Sequence, residues 1–392
     1  MRVLMTGLSA RAAAESAARA GFAVTALDAF ADLDQHPSVR MLPAPPSFTA
    51  HRAARAALDT RYDAAVYLAG FENHPVAVGR LASGGALWGN APDVLRQVRD
   101  PWLLTRTLQR RGFAAPKVIV GSRGPIDEAS SLTWLVKPLA SGGGHGVWPC
   151  APGTGRPRGC YLQERVEGTP GSVVFVAAGG RAVPFGVSRQ LVGERAFGIS
   201  GYRYCGNILA ADGDPPFDEA TVEAARAIAR VVAAEFGLVG VNGIDFVARD
   251  GAVHVTEVNP RWTGSMELVE RAYGWSVFGA HAAACRAGEL PDVDLLRVQR
   301  TSPAVGKAVV FAPRDIRVGD TRAWVGDPDI RDIPHPDQSI AAGRPVCTVF
   351  ASGADAAACH AALVRRAEWV RLQLGLPHPT SARPIGRRPV RQ

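Results

Sequence analysis

The segment from Asp245 to Arg261 constrains the fold more than any other part of the chain. It consists of two apolar runs separated by Asp250-Gly251, a dipeptide typical of tight hairpin turns. The first run begins with Asp245, and the second ends in Glu257-x-Asn259-x-Arg261. Mg²⁺ prefers oxygen ligands, and an arginine beside them can stabilise phosphoryl charge. The segment therefore predicts a β-hairpin that carries a magnesium site for a phosphorylated ligand.

The hairpin must bring Asp245 and Glu257 to one face if both side chains are to bind the same ion. Side chains alternate faces along a strand, so Glu257 and Asn259 already share one. A two-residue turn at 250–251 would place the two acids on opposite faces, whereas a three-residue loop at 250–252 or a β-bulge would pair them. We predict that they pair on one face. The alternative is a hairpin whose polar side chains only face solvent.

A lysine and a glycine-rich loop lie about a hundred residues upstream. Lys137 closes an apolar run, and a loop follows that contains Gly142, Gly143, Gly144 and Gly146. Lysine is a mobile cation for phosphates, and glycines let backbone N–H groups approach phosphate oxygens closely. Together with the acids, the loop predicts a nucleotide site. The alternative is a surface loop beside a solvated lysine.

Further polar positions are candidate ligand contacts. The strand that holds Gln163 and Glu164 runs into a loop and could present its backbone and side chains to an adenine ring, although an ordinary amphipathic strand reads the same way. Four more polar side chains are substrate candidates, with surface positions as the alternative: Glu72, Arg189, Gln190 and Tyr204.

The order of apolar runs predicts mixed α/β and α+β architecture. Residues 1–95 alternate strands and helices as in a doubly wound domain, but lack the Gly-x-Gly-x-x-Gly spacing of a dinucleotide site, so a ribose-binding role for Asp28 is disfavoured. We predict a linker helix over 96–111 and a small module of strands up to residue 166, which together form a second unit. A third unit spans 167–375, with a helix that starts after Thr263-Gly264-Ser265 and has Ser265 as its cap. Residues 376–392 are expected to be disordered.

Composition excludes several classes of protein. The chain has 392 residues, and its net charge of +8 is scattered rather than gathered on a basic helix, so we expect no nucleic-acid partner. No apolar run approaches the roughly 20 residues of a membrane span, so we expect no membrane partner either. The six cysteines form no Cys-x-x-Cys pair and are expected to be reduced thiols of a cytoplasmic protein.

The order of these motifs resembles the ATP-grasp superfamily, over roughly residues 1–355. The resemblance implies an ATP-grasp fold preceded by a doubly wound pre-ATP-grasp domain. It implies that Lys137 and the loop 142–146 hold ATP phosphates and that Gln163, Glu164 and Val166 contact adenine. It further implies that Asp245, Glu257 and Asn259 bind two Mg²⁺ ions and that Arg261 stabilises the transferred phosphate.

The chain departs from the family pattern at one position. Many members carry a phosphate-binding lysine in an Asp-Lys pair that opens the helix before the glycine loop. The corresponding pair here is Asp100-Pro101, so Arg99 or Arg106 would have to supply that cation.

The resemblance favours amide formation over its alternatives. The C-terminal strands are similar to those of biotin carboxylase, but the family's catalytic glutamate position reads Gly264-Ser265, with Glu267 two residues late. The chain looks most like a carboligase subgroup associated with one-carbon coenzyme (methanofuran and tetrahydromethanopterin) biosynthesis. We therefore expect a carboxylate–amine ligase that uses an amino acid such as glutamate, with a homodimer as the default assembly. A carboxylase and a non-catalytic ATP-binding protein remain as alternatives.

Overall fold

The computed structural model describes residues 1–45, 47–121, 133–151, 157–211, 214–292 and 304–376. The tail that was predicted to be disordered lies outside these residues from position 377 onward.

The N-terminal domain is built on a parallel sheet with the strand order β3-β2-β1-β4-β5. The strands are β1 (Arg2–Gly7), β2 (Ala23–Asp28), β3 (Arg40–Met41), β4 (Ala64–Tyr67) and β5 (Ala86–Leu87). The helices are α1 (Arg11–Arg19), α2 (Ala50–Ala57), α3 (Pro75–Ala82) and α4 (Pro92–Val98). The doubly wound prediction is confirmed. Asp28 is buried and accepts hydrogen bonds from the backbone N–H groups of Ala10, at 2.5 Å, and Phe30, at 2.7 Å, which ties β2 to the start of α1.

The linker is not the single helix that was predicted over residues 96–111. It consists of the end of α4 and a separate helix, α5 (Pro101–Arg110). Asp100 caps α5, because its Oδ1 accepts from the N–H groups of Trp102 and Leu103 at 2.9 and 3.1 Å. Proline has no N–H to continue α4 but fits the first turn of a helix, so Pro101 divides the two.

A small antiparallel sheet with the order β6-β9-β7-β8 follows. Its strands are β6 (Val118–Ile119), β7 (Trp134–Pro138), β8 (Trp148–Cys150) and β9 (Cys160–Glu164). The glycine loop, residues 142–146, connects β7 to β8 on this sheet.

The largest sheet has eight antiparallel strands in the order β14-β13-β10-β11-β12-β15-β19-β17. Its strands, with the separate ribbon β16–β18, are β10 (Thr169–Ala178), β11 (Arg181–Val192), β12 (Tyr204–Leu209), β13 (Gly240–Arg249), β14 (Ala252–Asn259), β15 (Ala304–Phe311), β16 (Ile316–Arg317), β17 (Ile330–Arg331), β18 (Ser339–Ile340) and β19 (Pro345–Gly353). The helices are α6 (Glu219–Phe236), α7 (Gly264–Tyr273), α8 (Val277–Ala287) and α9 (Ala356–Gln373), with short 3₁₀ turns at Arg195–Phe197 and Arg322–Gly326. The boundaries predicted for the units stay predictions.

Helix α7 begins one residue earlier than its predicted cap. Thr263 is the N-cap, with an extended backbone, and Ser265 lies in the first turn instead. Only Pro260, Arg261 and Trp262 separate the end of β14 from this N-cap. The helix therefore directs its N-terminus toward the end of the acidic hairpin, which we define as β13 and β14.

A shared core packs the N-terminal domain against the large sheet. One cluster of buried side chains includes Val3 and Val24 of the parallel sheet, Val174 and Val176 of β10, and Phe278 of α8. The hydroxyl of Tyr67, at the end of β4, donates to the carbonyl of Pro260 at 2.8 Å. This packing brings the loop after β4 to the end of the acidic hairpin.

No helix in the described part of the chain is long and apolar enough to cross a membrane. None of the six cysteines, all of which lie in the described ranges, forms a disulfide, in agreement with the prediction of reduced thiols.

Candidate functional site

A cavity of about 500 Å³ lies between the small sheet and the large sheet. The predicted site residues that line it are Lys137, Gly142, Gly143, Gly144, Gln163, Glu164, Val166, Gln190, Tyr204, Asp245, Glu257, Asn259 and Arg261. Three predicted residues do not line it: Gly146, Glu72 and Arg189. Residues from separate motifs therefore meet around one space large enough for a small organic ligand.

A bulge sets the register of the acidic hairpin. The turn is the two-residue one, since Arg249 pairs with Ala252, and both Asp250 (φ 51°) and Gly251 (φ 76°) are left-handed. Such a turn alone would have placed the acids on opposite faces. The register shifts between Asp245 and Phe246, which leaves Thr256 as the extra residue and pairs Asp245 with Glu257. The predicted same-face pairing is confirmed, and the bulge rather than a longer loop produces it.

Asp245 is held by two amide side chains. Its Oδ1 accepts from Nε2 of Gln190 at 2.7 Å, and its Oδ2 accepts from Nδ2 of Asn259 at 2.9 Å. Burial, and then the negative charge of Glu257, raises the pKa of the Asp245 carboxyl to about 7. A cation close to this carboxyl would relieve both effects.

Glu257 is held in its charged form by cations. Its Oε1 accepts from Nη1 of Arg99. Burial by itself would raise the pKa of Glu257, but the charges of Arg99 and Lys137 outweigh it and lower the pKa below its usual range. Glu257 is therefore ionised at neutral pH, whereas the pKa of Asp245 lies close to neutral pH.

The donor set fits Mg²⁺ completed by a phosphorylated ligand. Within the described ranges, no three His, Cys, Asp or Glu side chains are grouped so as to hold a metal ion by themselves. Two carboxylates and the Asn259 amide oxygen supply only part of an octahedral shell. Mg²⁺ is commonly bound by one or two carboxylates together with substrate phosphates and water, and this arrangement matches that pattern.

Arg261 is positioned by Glu72. Its Nε donates to Oε1 of Glu72 at 2.8 Å, and its Nη2 donates to Oδ1 of Asn259 at 3.2 Å. The other Glu72 oxygen accepts from the backbone N–H of Gly70 at 2.6 Å. The Glu72 side chain is buried and does not line the cavity, and its contact with Arg261 orients that guanidinium. A contact of Glu72 with substrate stays a prediction.

The bulge residue connects the hairpin to the small sheet. The carbonyl of Thr256 accepts from Nζ of Lys137 and from Nε2 of Gln163, each at 3.2 Å. Lys137 also donates to Oε1 of Gln163 at 3.0 Å. The bulge thus frees a carbonyl that anchors both the lysine and the glutamine of the cavity.

The glycine loop lies against β12 and the residues just before it. The backbone N–H of Tyr204 donates to the carbonyl of Gly143 at 3.1 Å. A Cβ on Gly144, whose φ is +72°, would lie 1.8 Å from the carbonyl oxygen of Tyr202. Gly146, which does not line the cavity, packs on the ring of Pro138, where a Cβ would lie 3.0 Å from Cγ.

Arg99 joins three parts of the site, whereas Arg106 joins none. The guanidinium of Arg99 contacts Glu257, and its Nη2 donates to Oδ1 of Asn73 at 2.9 Å and to the carbonyl of Ser141 at 3.0 Å. Arg106 stacks on Trp102 at 4.6 Å and does not line the cavity. Of the two sequence candidates for a substitute phosphate cation, only Arg99 is in place.

Arg189, a predicted substrate contact, lies away from the cavity. Its guanidinium lies 3.7 Å from Glu194, and its side chain does not reach the cavity because it points to the opposite face of β11 from Gln190. Gln190 and Tyr204 do line the cavity, and the Tyr204 hydroxyl donates to Oδ1 of Asn207 at 2.6 Å.

A buried charge network that sequence reasoning missed lies behind the N-terminus of α7. Glu267 accepts from Nη2 of Arg11 and from Nζ of Lys307, each at 2.8 Å. Arg11 also donates to Oδ1 of Asp332 at 2.8 Å. These residues are up to 321 positions apart in the chain, so no local pattern could have identified them.

The comparisons with known proteins agree with this geometry. Residues 98–265 match the model of the ATP-grasp domain. A search of the curated proteins found no match.

Solved structures share the fold over nearly the whole chain. Pyruvate carboxylase from Rhizobium etli superposes with a TM-score of 0.70 at 14% identity, over 96% of this chain and only 39% of that longer one. Carboxyaminoimidazole ribonucleotide synthase from Aspergillus clavatus, complexed with ATP, gives 0.69 at 14% identity, over 95% and 98% of the two chains. L-amino acid ligase from Bacillus licheniformis gives 0.65 at 15% identity, over 94% and 98%. Biotin carboxylase structures also match. Residues 98–265 thus match an ATP-grasp domain, and nearly the whole chain shares the fold of these solved structures, as the sequence resemblance predicted.

Proposed function

We propose that this ATP-grasp protein is an ADP-producing ligase that joins a carboxylate to an amine through an acyl phosphate. ATP phosphorylates the carboxylate, the amine attacks the acyl carbon, and phosphate leaves. No protein nucleophile is required, so catalysis consists of positioning and charge neutralisation.

The nucleotide is assigned to the cavity between the two antiparallel sheets. Lys137 and the backbone N–H groups of residues 142–144 would bind the phosphates. Residues 163–166, at the end of β9 and just after it, would contact the adenine. Asp245, Glu257 and Asn259 would hold Mg²⁺, two ions by the family resemblance. The metal would neutralise phosphate charge during transfer.

The carboxylate substrate is assigned to the space between Arg261 and α7. Thr263, Gly264 and Ser265 line the cavity at the N-terminus of this helix, where unpaired N–H groups and the helix dipole favour anions. Arg261 lies two residues before Thr263 and lines the same cavity. A carboxylate placed here would meet the transferred phosphoryl group beside the one guanidinium that Glu72 orients.

The burial and ion pairs of Glu267 favour amide formation over carboxylation. A carboxylase of the biotin-carboxylase type needs a carboxylate beside bicarbonate, and the position that would supply it is Ser265. Glu267 is 7% exposed, does not line the cavity, and has both oxygens engaged by Arg11 and Lys307. It is therefore unsuited to act as a base. The amino acid ligase among the solved structures is a protein of the same fold that is named for ligation of amino acids.

An amino acid such as glutamate is the proposed substrate, within one-carbon coenzyme (methanofuran and tetrahydromethanopterin) biosynthesis. A cytoplasmic homodimer is the proposed assembly. Carboxylation remains the second candidate because the biotin carboxylases share this fold.

The test is ADP release from the full chain with Mg²⁺ and ATP, screened over pairs of amino acids and amines, with mass spectrometry of the product. Ligation predicts ADP release that requires both an acid and an amine, and a product whose mass is the sum of the two less one water. Glu257→Gln is the metal-site variant, and Glu235→Gln, on the surface of α6, is its matched control. ADP release that depends on bicarbonate without an amine would select carboxylation. Nucleotide binding without turnover for any pair would favour a non-catalytic protein.

A further inference from the structure

Three basic side chains lie close together on the outer side of the glycine loop, by which we mean the side away from the nucleotide cavity. They are Arg203, just before β12; Arg344, just before β19; and His145, within the loop. None of them lines the nucleotide cavity. They come from parts of the chain up to 199 residues apart, so tertiary packing alone places them together.

The backbone geometry fixes this arrangement. Nη2 of Arg203 lies 3.4 Å from the carbonyl of Gly343, the neighbour of Arg344. A Cβ on Gly144 would lie 3.2 Å from Cα of Arg203, which places the loop directly against that residue. The Arg203 guanidinium also rests on the ring of Phe311 at 5.3 Å, so its stem is held and its position is defined.

The cluster lacks a counter-charge. In the described portion of the chain, no carboxylate forms an ion pair with Arg203, which is half-buried, or with Arg344, which is exposed. By contrast, Arg11, Arg99 and Arg261 each pair with a carboxylate. Nε of Arg203 is buried and has no hydrogen-bond partner. Partial burial, followed by the charges of Arg203 and Arg344, lowers the pKa of His145 below its usual value. Partial burial, followed by the charge of Arg344, also lowers the pKa of Arg203.

Like charges that are brought together by a fold, with an unused donor among them, are stabilised when an anion binds between them. We propose that Arg203, Arg344 and His145 form a second oxyanion site, which takes the phosphate or carboxylate group of an organic substrate. This site would be distinct from that of the nucleotide phosphates, because none of the three side chains lines the cavity assigned to the nucleotide.

The location adds a consequence for the proposed ligase. Gly143 and Gly144 contact the backbone of residues 202–204, and His145 follows them immediately. An anion that bridges His145 to Arg203 would hold the glycine loop against β12. Substrate binding on the outer side would then strengthen nucleotide binding on the inner side, and the reverse would hold equally. This consequence depends on the proposed function, whereas the anion site itself does not.

The test follows the imidazole of His145 by NMR in the full-length protein, with ¹³C-labelled histidine and His145→Asn to assign the signal. Mg²⁺ and ADP are present throughout, so that the nucleotide phosphate positions are filled. Inorganic phosphate is titrated in one arm and glutamate in the other, which distinguishes a phosphate from a carboxylate site. Binding of either anion should shift the His145 titration midpoint to higher pH.

Two arginine variants localise the effect. In Arg344→Gln, the midpoint should start at higher pH without any anion, and the apparent affinity for the effective anion should fall about 10- to 100-fold, as expected for the loss of a charge-assisted hydrogen bond. Arg317→Gln removes the same charge from an exposed residue that is paired with Asp337, and should match the wild type.

Two results would overturn the proposal: a His145 signal that responds to neither anion into the millimolar range, or an equal response in wild type and Arg344→Gln. These outcomes are separable from failure of the ligase proposal, which the ADP-release screen detects with no reference to His145.

Discussion

Replacing Gly144 with alanine should move the glycine loop away from β12 and weaken nucleotide binding. The added Cβ would lie 1.8 Å from the Tyr202 carbonyl oxygen, and this neighbour is backbone that cannot rotate aside. Reaching an ordinary contact of 3.4 Å requires a displacement of about 1.6 Å. The loop would lose its hydrogen bond from Tyr204 and its N–H groups would move off the phosphates.

The size of the effect follows from the number of contacts that are lost. Hydrogen bonds to charged groups are worth about 1.5–3 kcal/mol each. Loss of one such contact to phosphate therefore weakens nucleotide affinity about 10- to 150-fold. Isothermal titration calorimetry with Mg²⁺ and ADP measures this quantity with no knowledge of the organic substrates.

Gly143→Ala is the matched control in the same loop. Gly143 has a φ of +60°, so alanine pays a similar left-handed penalty of about 1–2 kcal/mol there, but its Cβ would meet nothing closer than His145 Cδ2 at 3.9 Å. The two variants thus share the backbone strain and differ in the clash. Equal losses of affinity in both variants, or an unchanged affinity in Gly144→Ala, would refute the argument from close approach.

Three further predictions test other parts of the site. Arg99→Lys keeps the charge but not the planar guanidinium that joins Glu257 to Asn73 and Ser141, so calorimetry should show a nucleotide affinity about tenfold or more below that of the wild type. Arg106→Lys is the control and should leave the affinity unchanged. Equal affinities in the two variants would show that Arg99 does not belong to the nucleotide site. The pKa of Asp245 is raised to about 7, so binding of a cation that favours its ionised form should release protons. The affinity for Mg²⁺–nucleotide should therefore weaken as the pH falls through about 7. Calorimetry in buffers of different ionisation enthalpy measures this proton release, which should disappear in Asp245→Asn. Arg11→Met leaves buried Glu267 and half-buried Asp332 without their shared cation and should lower the free energy of unfolding by about 3–5 kcal/mol in urea. Arg2→Met, at an exposed ion pair with Asp63, should cost less than about 1 kcal/mol, and similar costs for the two variants would contradict the role of the network.

Most of the predicted residues that line the cavity could be identified from sequence because their motifs are local. Glu257, Asn259 and Arg261 share a face by simple alternation along one strand. Lys137 and the glycines are separated by only a few residues, so their association needs no knowledge of packing. The doubly wound domain was equally readable, since its strands and helices follow one another directly in the chain.

The register of the hairpin lay at the limit of what sequence could determine. The dipeptide Asp250-Gly251 favoured the two-residue turn that formed, and that turn by itself would have separated Asp245 from Glu257. The bulge at Thr256 restored the pairing. Its carbonyl is held by Lys137 and Gln163, which lie more than ninety residues earlier, so the contacts that accompany the bulge are long-range.

Sequence alone determined which residue types could bind phosphate and metal, since that depends on chemistry and on spacing within single strands and loops. The tertiary structure decided which of them face the cavity and which serve as supports. Glu72 orients Arg261, and Arg189 lies near Glu194. Of the two candidate phosphate cations, Arg99 lines the cavity and Arg106 does not. The physical reason is that the direction of a side chain and the partner of a charge depend on elements far away in the chain, whose packing no local periodicity encodes.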